Sequence, residues 1–167
     1  VARFFRAMFY FEKVKRFGDV PWIDVELGSE SEQLYAPRDS REFIMQKMID
    51  DIDFAIANLP EKVSTFRVNK WAALALKAEF CLYEGTFRKY HAGTEFVPQD
   101  QETYDGVTIS SEWFLTQAYK AAETLIGKKS LYTGNTMGIS GKATNASYRE
   151  FFVLEDADPN ETIMARA

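Results

Sequence analysis

The sequence predicts a mainly α-helical protein, built as an irregular tetratricopeptide-like array of helical hairpins with long loops. Three observations support this fold class. Apolar residues recur near the 3.6-residue period in four segments, capping and stop residues stand at the ends of those segments, and alanine-rich faces favour close helix packing. The long loops break the regular period that such repeats usually keep. We therefore expect an irregular array.

The first predicted helix spans residues 2–16, where phenylalanines and other apolar residues form one broad face. Gly18 and Pro21 end this helix within the stretch "RFGDVPWI". Asp19 suits a turn position in which its carboxylate accepts from nearby backbone N–H groups. Residues 19–38 show no clear period and contain several glycine, serine and proline residues, which predicts a long loop.

The second predicted helix spans residues 40–58 and ends at Pro60. Asp39 followed by Glu42 fits a capping box at its start. Three aspartates lie close together near its middle: Asp50, Asp51 and Asp53. Because these positions do not converge on one point of a helix, we expect a solvated acidic face and not a metal site.

The third predicted helix spans residues 69–88 and begins at Asn69, a favourable N-cap residue. Its apolar stripe includes Trp71, which we expect in the core. Gly85 either loosens the last turn or admits a close contact with a neighbouring helix. Residues 91–109 form a second long loop.

The fourth predicted helix spans residues 110–127, from a cap at Ser110 or Ser111 to a stop at Gly127. Its apolar face includes Trp113, which we also expect in the core. The remainder, 128–167, is rich in Gly, Asn and Thr and is predicted to be irregular. The whole chain, 1–167, is expected to be one partial helical domain, a fragment of a larger domain, because both ends fall inside apolar patterns.

Composition excludes several classes of protein. With 46% hydrophobic and 27% charged residues, the chain resembles folded proteins and not disordered ones. The net charge of −5 disfavours binding to nucleic acid, which requires a basic face. The single cysteine, Cys81, excludes an internal disulfide and is expected to be a buried, inert thiol. His91 has no partner at metal-ligand spacing, and we expect no metal, no cofactor and no catalytic residue.

Four blocks in order resemble the SusD/RagB family of outer-membrane nutrient-binding lipoproteins. They are "ARFFRAMFYFEKVKRFGDVPWI", "PRDSREFIMQKMIDDIDFAIANLP", "VNKWAALALKAEFCLYEGTF" and "YREFFVLEDADPNETIMA". The chain departs from the family pattern in the "VNK" entry to the third helix and in the 91–109 insertion. The resemblance covers only part of a family member, whose lipoprotein signal and C-terminal region have no counterpart in these blocks.

The resemblance implies a non-catalytic, surface-exposed outer-membrane protein that captures oligosaccharide or, in some members, peptide nutrients. It implies delivery of the ligand to a SusC-like TonB-dependent porin. It also implies contact with the membrane only through a lipid anchor outside this fragment. The alternative is a helical-repeat scaffold that binds proteins or peptides without affinity for glycans. No enzyme motif such as a nucleophile elbow or a phosphate loop favours catalysis.

Sugar capture favours aromatic rings in loops, with planar polar groups beside them to bind hydroxyls. The alternative for each such ring is that it packs on the scaffold. The ligand-binding candidates are Trp22, Tyr35, Phe96, Gln101, Tyr104 and Asn135, with Tyr90 and Tyr132 as further loop aromatics.

Overall fold

The computed structural model describes residues 1–62, 64–98, 102–104, 107–133 and 147–165. Its elements, in chain order, are α1 (Ala2–Phe17), a 3-10 helix (Glu32–Tyr35), α2 (Arg41–Asn58), α3 (Lys70–His91), β1 (Glu102–Tyr104), β2 (Val107–Ile109), α4 (Ser111–Leu125) and α5 (Ser147–Phe151). The prediction of a mainly α fold is confirmed. The tetratricopeptide-like detail and the single partial domain stay predictions.

The helices pack in chain order, α1 on α2, α2 on α3, and α3 most extensively on α4. Their shared core consists of aromatic and aliphatic side chains from all four helices. Its most deeply buried members include Phe4, Ile44, Met45, Met48, Ile52, Phe80, Cys81 and Phe114. A second small cluster, Trp71, Leu74 and Ala121, closes the other end of the α3–α4 contact. Trp71 is buried and Trp113 packs partly buried against the main core, as predicted.

The start of α2 differs from the sequence prediction. The capping box of Asp39 and Glu42 is wrong, because the N-cap residue is Ser40, whose side chain accepts from the N–H of Phe43. The Asp39 carboxylate instead accepts from the backbone N–H of Trp22 in the preceding loop, at 2.7 Å. The carboxylate that local spacing assigned to the start of the helix therefore forms its hydrogen bond with a residue distant in sequence.

The acidic segment of α2 is also only partly solvated. Asp51 is 2% exposed, and its two carboxylate oxygens accept from Nε and Nη2 of Arg6 at 2.5 and 2.7 Å. Arg3 lies 3.7 Å from the same carboxylate. The expectation of a solvated face is wrong for Asp51, because α1 brings two guanidinium groups onto it. Asp53 remains half-exposed and pairs with Lys77 at 2.6 Å.

The approach of α3 to α4 depends on Gly85. A Cβ atom at Gly85 would lie 2.7 Å from Cγ and 3.1 Å from the backbone N of Leu115 in α4. Of the two alternatives for this glycine, the structure therefore shows the close contact. The predicted caps of both helices are present, since Asn69 accepts from the N–H of Ala72 and Ser110 from that of Trp113.

The loops contain more regular structure than the sequence indicated. Within the predicted 91–109 loop, β1 and β2 pair in antiparallel register, with Glu102 opposite Ile109. The C-terminal segment is tied back to the start of α3, where Asn69 Nδ2 donates to the carbonyl of Ile163 and the N–H of Ala165 donates to Thr65. A short strand pair and hydrogen bonds of this kind depend on tertiary contacts, which no local sequence period predicts.

Candidate functional site

Two aspartates fix the corner between α1 and α2, because the carboxylate of each accepts a hydrogen bond from a backbone N–H of the other segment. The Asp19 carboxylate accepts from the N–H of Arg41, and the Asp39 carboxylate accepts from the N–H of Trp22. Val20 and Asp39 add a backbone bridge between the two segments. Gly18 makes the turn possible because its φ of 67° is readily adopted only by glycine.

Tyr10 anchors the same corner from beneath. Its hydroxyl donates to the carbonyl of Pro21 and accepts from the N–H of Ile23 at 2.7 Å. Burial raises the pKa of the Tyr10 hydroxyl, so the group stays protonated and keeps its donor role at neutral pH. The "RFGDVPWI" stretch is thus a rigid corner, held by hydrogen bonds to the side chains of Tyr10, Asp19 and Asp39.

A cavity of about 540 Å³ lies at this corner and is open to solvent on one side. We call it the corner cavity. The end of α1, the segment before α2, one face of α3 and the loop after α3 line it. The lining residues are Val14–Asp19, Arg38, Ser40–Glu42, Tyr83, Phe87, Glu95, Phe96 and Pro98. Its volume falls within the range typical of small-molecule sites.

Aromatic rings run from the core to the mouth of the corner cavity. Tyr83 and Phe87 stack at 6.2 Å between centroids, Phe87 meets His91 at 4.4 Å, and His91 meets Phe96 edge-on at 5.6 Å. Phe96 is 57% exposed, and Phe17, which lines the same cavity, is 65% exposed. These two exposed rings offer the flat apolar surfaces on which the C–H face of a sugar packs.

Behind the cavity, buried charges tie α2 to α3. Glu84 is fully buried and accepts from Arg41 at 2.6 and 2.9 Å and from Arg88 at 2.9 Å. Arg88 also approaches Glu42 at 3.4 Å, and the guanidinium of Arg41 lies 3.8 Å above the Phe87 ring. These contacts fix the floor of the cavity, because a buried charge is stable only when its partners remain in place.

The charged side chains at the mouth have no such partners. Within the part of the chain that the structure describes, Arg16, Arg38 and Glu95 make no ion pair or side-chain hydrogen bond. Guanidinium donors and a carboxylate acceptor beside exposed rings form a set that binds the hydroxyl groups of a polar ligand. The corner cavity is therefore the candidate ligand site of the described structure.

The structure separates the ligand candidates taken from the sequence. Phe96 lines the corner cavity, whereas Trp22 borders a different cavity of about 190 Å³ beside Arg6. The Trp22 ring packs on Tyr10 with centroids 4.4 Å apart and lies under the Arg6 guanidinium at 4.7 Å. Tyr35 is 86% exposed at the end of the 3-10 helix.

Of the remaining candidates, only Tyr90 and Tyr132 have described side chains, and neither lines the corner cavity. Tyr90 is exposed on α3, and Tyr132 packs against Phe151 at 5.9 Å. Gln101 and Asn135 lie outside the described residues, as does the side chain of Tyr104, whose backbone belongs to β1. The assignment of all these residues to ligand binding stays a prediction.

Arg16, Phe17 and Arg38 also line the corner cavity but are not among the candidates from the sequence. They lie at the end of α1 and in the loop before α2, where no periodic pattern marks a site. A usable signal was present in the glycine at position 18, which turns the chain so that the last residues of α1 face the segment before α2. Arg16 and Phe17, which come just before this helix stop, therefore lie at the corner and not along a helix face.

Neither a metal site nor a membrane-spanning helix is observed in the described residues. No group of three or more His, Cys, Asp or Glu side chains there is arranged to hold a metal ion. Among the described helices, none combines the length and the apolar character needed to cross a membrane.

Comparison with known proteins identifies the type of helical scaffold. No protein-family model matches the chain. SusD-like protein P2 from Formosa agariphila is 28% identical over 138 residues, which are 82% of this chain and 27% of that protein. The crystal structure of a SusD-like protein from Bacteroides fragilis matches 97% of this chain with a TM-score of 0.66 and 25% identity, and 25% of that protein is covered.

The two matches agree with each other and with the motifs in the sequence. The described helices form the same kind of scaffold as part of a SusD-like protein. The chain is therefore similar to SusD-like proteins in both sequence and fold. It spans about a quarter of the length of the two relatives that it matches.

Proposed function

We propose that this chain forms the helical scaffold of a non-catalytic nutrient-binding protein that captures oligosaccharides at the bacterial outer-membrane surface. The captured ligand passes to a SusC-like TonB-dependent transporter, and a lipid anchor outside these residues holds the protein at the membrane. The observation that carries this proposal is the agreement of sequence and fold with SusD-like proteins.

The corner cavity is the place on the described surface where we expect an oligosaccharide to bind. Phe96 and Phe17 provide exposed rings, and the side chains of Arg16, Arg38 and Glu95 are free to bind hydroxyl groups. The rigid corner and the buried charges behind it hold this surface in place before ligand arrives, which lowers the entropy cost of binding.

The direct test is isothermal titration against a panel of neutral and acidic oligosaccharides. With a ligand found, Phe96→Ala is expected to weaken binding by about three- to tenfold, because a stacked ring contributes about 1 kcal/mol. Phe66→Ala is the matched control, since that phenylalanine is 43% exposed and lines neither the corner cavity nor the cavity beside Trp22. Equal binding by Phe96→Ala and the parent protein would move the site away from the corner cavity.

Failure of the whole panel would count against glycan capture itself. In that case a set of short peptides, titrated in the same way, would test the alternative of peptide capture. Loss of the ligand in Trp22→Ala but not in Phe96→Ala would instead place binding at the smaller cavity beside Arg6.

A second candidate function is a protein–protein scaffold, and one observation favours it. Phe5, Met8 and Phe9 lie on the outward side of α1 and are 47%, 39% and 60% exposed. Their spacing of three and four residues makes them one stripe on the helix surface. Exposed apolar stripes of this kind occur where proteins bind other proteins.

Charge substitution tests the scaffold function. Phe5→Lys combined with Phe9→Lys is expected to abolish co-purification with the transporter protein while glycan binding continues. Retained co-purification in this double variant would show that the α1 stripe is not the contact.

A further inference from the structure

A second cavity, of about 400 Å³, has three lysines among its nine lining residues. It lies where the start of α3, the end of α4 and the C-terminal segment meet, and we call it the lysine pocket. Lys62, Lys128 and Lys129 line it together with Glu61, and Trp71 forms part of its wall. Three lysines around one cavity are unexpected in a chain of net charge −5.

The positive charge of the lysine pocket is not neutralised from within the described chain. Glu61 already pairs with Lys70 at 3.2 Å. In residues 1–62, 64–98, 102–104, 107–133 and 147–165, no carboxylate pairs with Lys62, Lys128 or Lys129. The excess charge is therefore available to a ligand.

Two of the lysines are held in defined positions. Lys129 Nζ donates to the carbonyls of Pro159 and Thr162, each at 2.7 Å, and these neutral acceptors leave its charge in place. Lys128 Nζ lies 5.3 Å from the centre of the Trp71 ring. Holding the ammonium groups in place lowers the entropy that they lose when an anion binds.

The start of α3 adds to the positive potential. Asn69 and Trp71 line the pocket, and the first turn of α3 contains no acidic residue to offset the helix dipole. The alternative for Lys128 and Lys129 is that they stabilise the nearby C-terminal end of α4. That structural role does not involve Lys62, which belongs to the loop before α3.

We propose that the lysine pocket is a binding site for an anionic group, a carboxylate, sulfate or phosphate carried by a ligand. Such a group would sit between Lys62 and Lys128, with Lys129 fixed behind them. The site lies apart from the corner cavity and shares no lining residue with it. Its existence does not depend on the capture of neutral glycans.

Titration calorimetry at low ionic strength tests the proposal, with inorganic phosphate, inorganic sulfate, an oligogalacturonide and a neutral oligosaccharide of equal length as probes. Lys62→Gln combined with Lys128→Gln removes the two exposed charges and should leave the fold intact. Lys89→Gln combined with Lys120→Gln is the matched control, because it makes the same change in net charge at exposed lysines outside the pocket.

At least one anionic probe is expected to bind the parent protein, and added salt should weaken that binding through screening. The Lys62 and Lys128 double variant should bind roughly fivefold more weakly, which corresponds to about 1 kcal/mol for the two exposed ion pairs together. Tighter binding of oligogalacturonide than of phosphate would identify an acidic glycan as the source of the anion, and the reverse order would identify a phosphate-bearing ligand.

The proposal is overturned if no anionic probe binds, or if the two double variants lose affinity equally. Binding of the neutral oligosaccharide is measured in the same series. Its presence without anion binding would reject the lysine pocket and leave glycan capture standing.

Discussion

Replacement of Gly85 by alanine would test whether close packing of α3 on α4 determines stability. The new Cβ would lie 2.7 and 2.9 Å from Cγ and Cδ2 of Leu115 and 3.1 Å from its backbone N. Overpacking of this kind costs typically about 1–3 kcal/mol, whereas alanine gains about 1 kcal/mol over glycine within a helix. Because backbone as well as side chain must move, we expect a net loss of about 1–2 kcal/mol.

Thermal and urea unfolding, monitored by circular dichroism, measure this loss. For a chain of this size it corresponds to a fall in Tm of about 3–6 °C. Gly28→Ala is the control, since its nearest contact is Ser31 Oγ at 3.8 Å and its backbone needs no positive φ. The sharper test is Gly85→Ala made in a Leu115→Ala background, where the obstructing side-chain atoms are gone and the destabilisation should shrink or reverse. An equal loss in both backgrounds would refute the steric explanation.

Three further predictions concern buried polar groups. Glu84→Gln should lower the free energy of unfolding by about 3 kcal/mol or more, because it removes the anion bound by buried Arg41 and leaves buried Arg88 with its longer contact to Glu42, while exposed Glu79→Gln should change urea unfolding little. Asp51→Asn should cost about 2 kcal/mol in the same assay through its bonds to Arg6, and an unchanged unfolding midpoint would contradict the observed pair. Burial raises the pKa of the Cys81 thiol, so native protein should resist alkylation at mildly alkaline pH, and rapid labelling without unfolding would contradict burial. The unfolded thiol ionises first, near pH about 8.5, so the unfolding free energy should fall as the pH rises above that value.

Local patterns predicted the helices well because their signals are local. The predicted helix at 2–16 corresponds to Ala2–Phe17, and the predicted helix at 69–88 corresponds to Lys70–His91. Asn69 caps the latter as expected, since an N-cap side chain bonds to a backbone group only three residues away. The mainly α class follows from the same short-range information.

Asp39 and Asp51 show where such reasoning fails. The spacing of Asp39 and Glu42 predicted that Asp39 caps its own helix. Its carboxylate instead accepts a hydrogen bond from the N–H of Trp22, seventeen residues earlier. Position on the helix assigned Asp51 to solvent, but α1 covers it with Arg6, forty-five residues away. Partners at that separation become visible only when the helices are packed together.

The candidate site likewise contains residues that the sequence points to and residues that only the packing of the helices brings together. Phe96 was selected from the sequence because it is an aromatic residue in a loop, a position that suits ligand binding. Phe17 and Arg38 line the same cavity, but no local sequence feature distinguishes them. Phe17 and Arg38 line the cavity because α1 and α2 meet at one corner. The Gly18 turn and the hydrogen bonds accepted by Asp19 and Asp39 form this corner.

The sequence by itself determined the helical class, the positions of the four long helices and the resemblance to SusD-like proteins, whereas the short α5 lies in a segment predicted to be irregular. These depend on period, capping and motif order, which are properties of neighbouring residues. The tertiary structure alone decided which charges are buried, where cavities form and that Gly85 sets the spacing of α3 and α4. Those properties arise between residues far apart in the chain, and only the packing of one helix on another determines them.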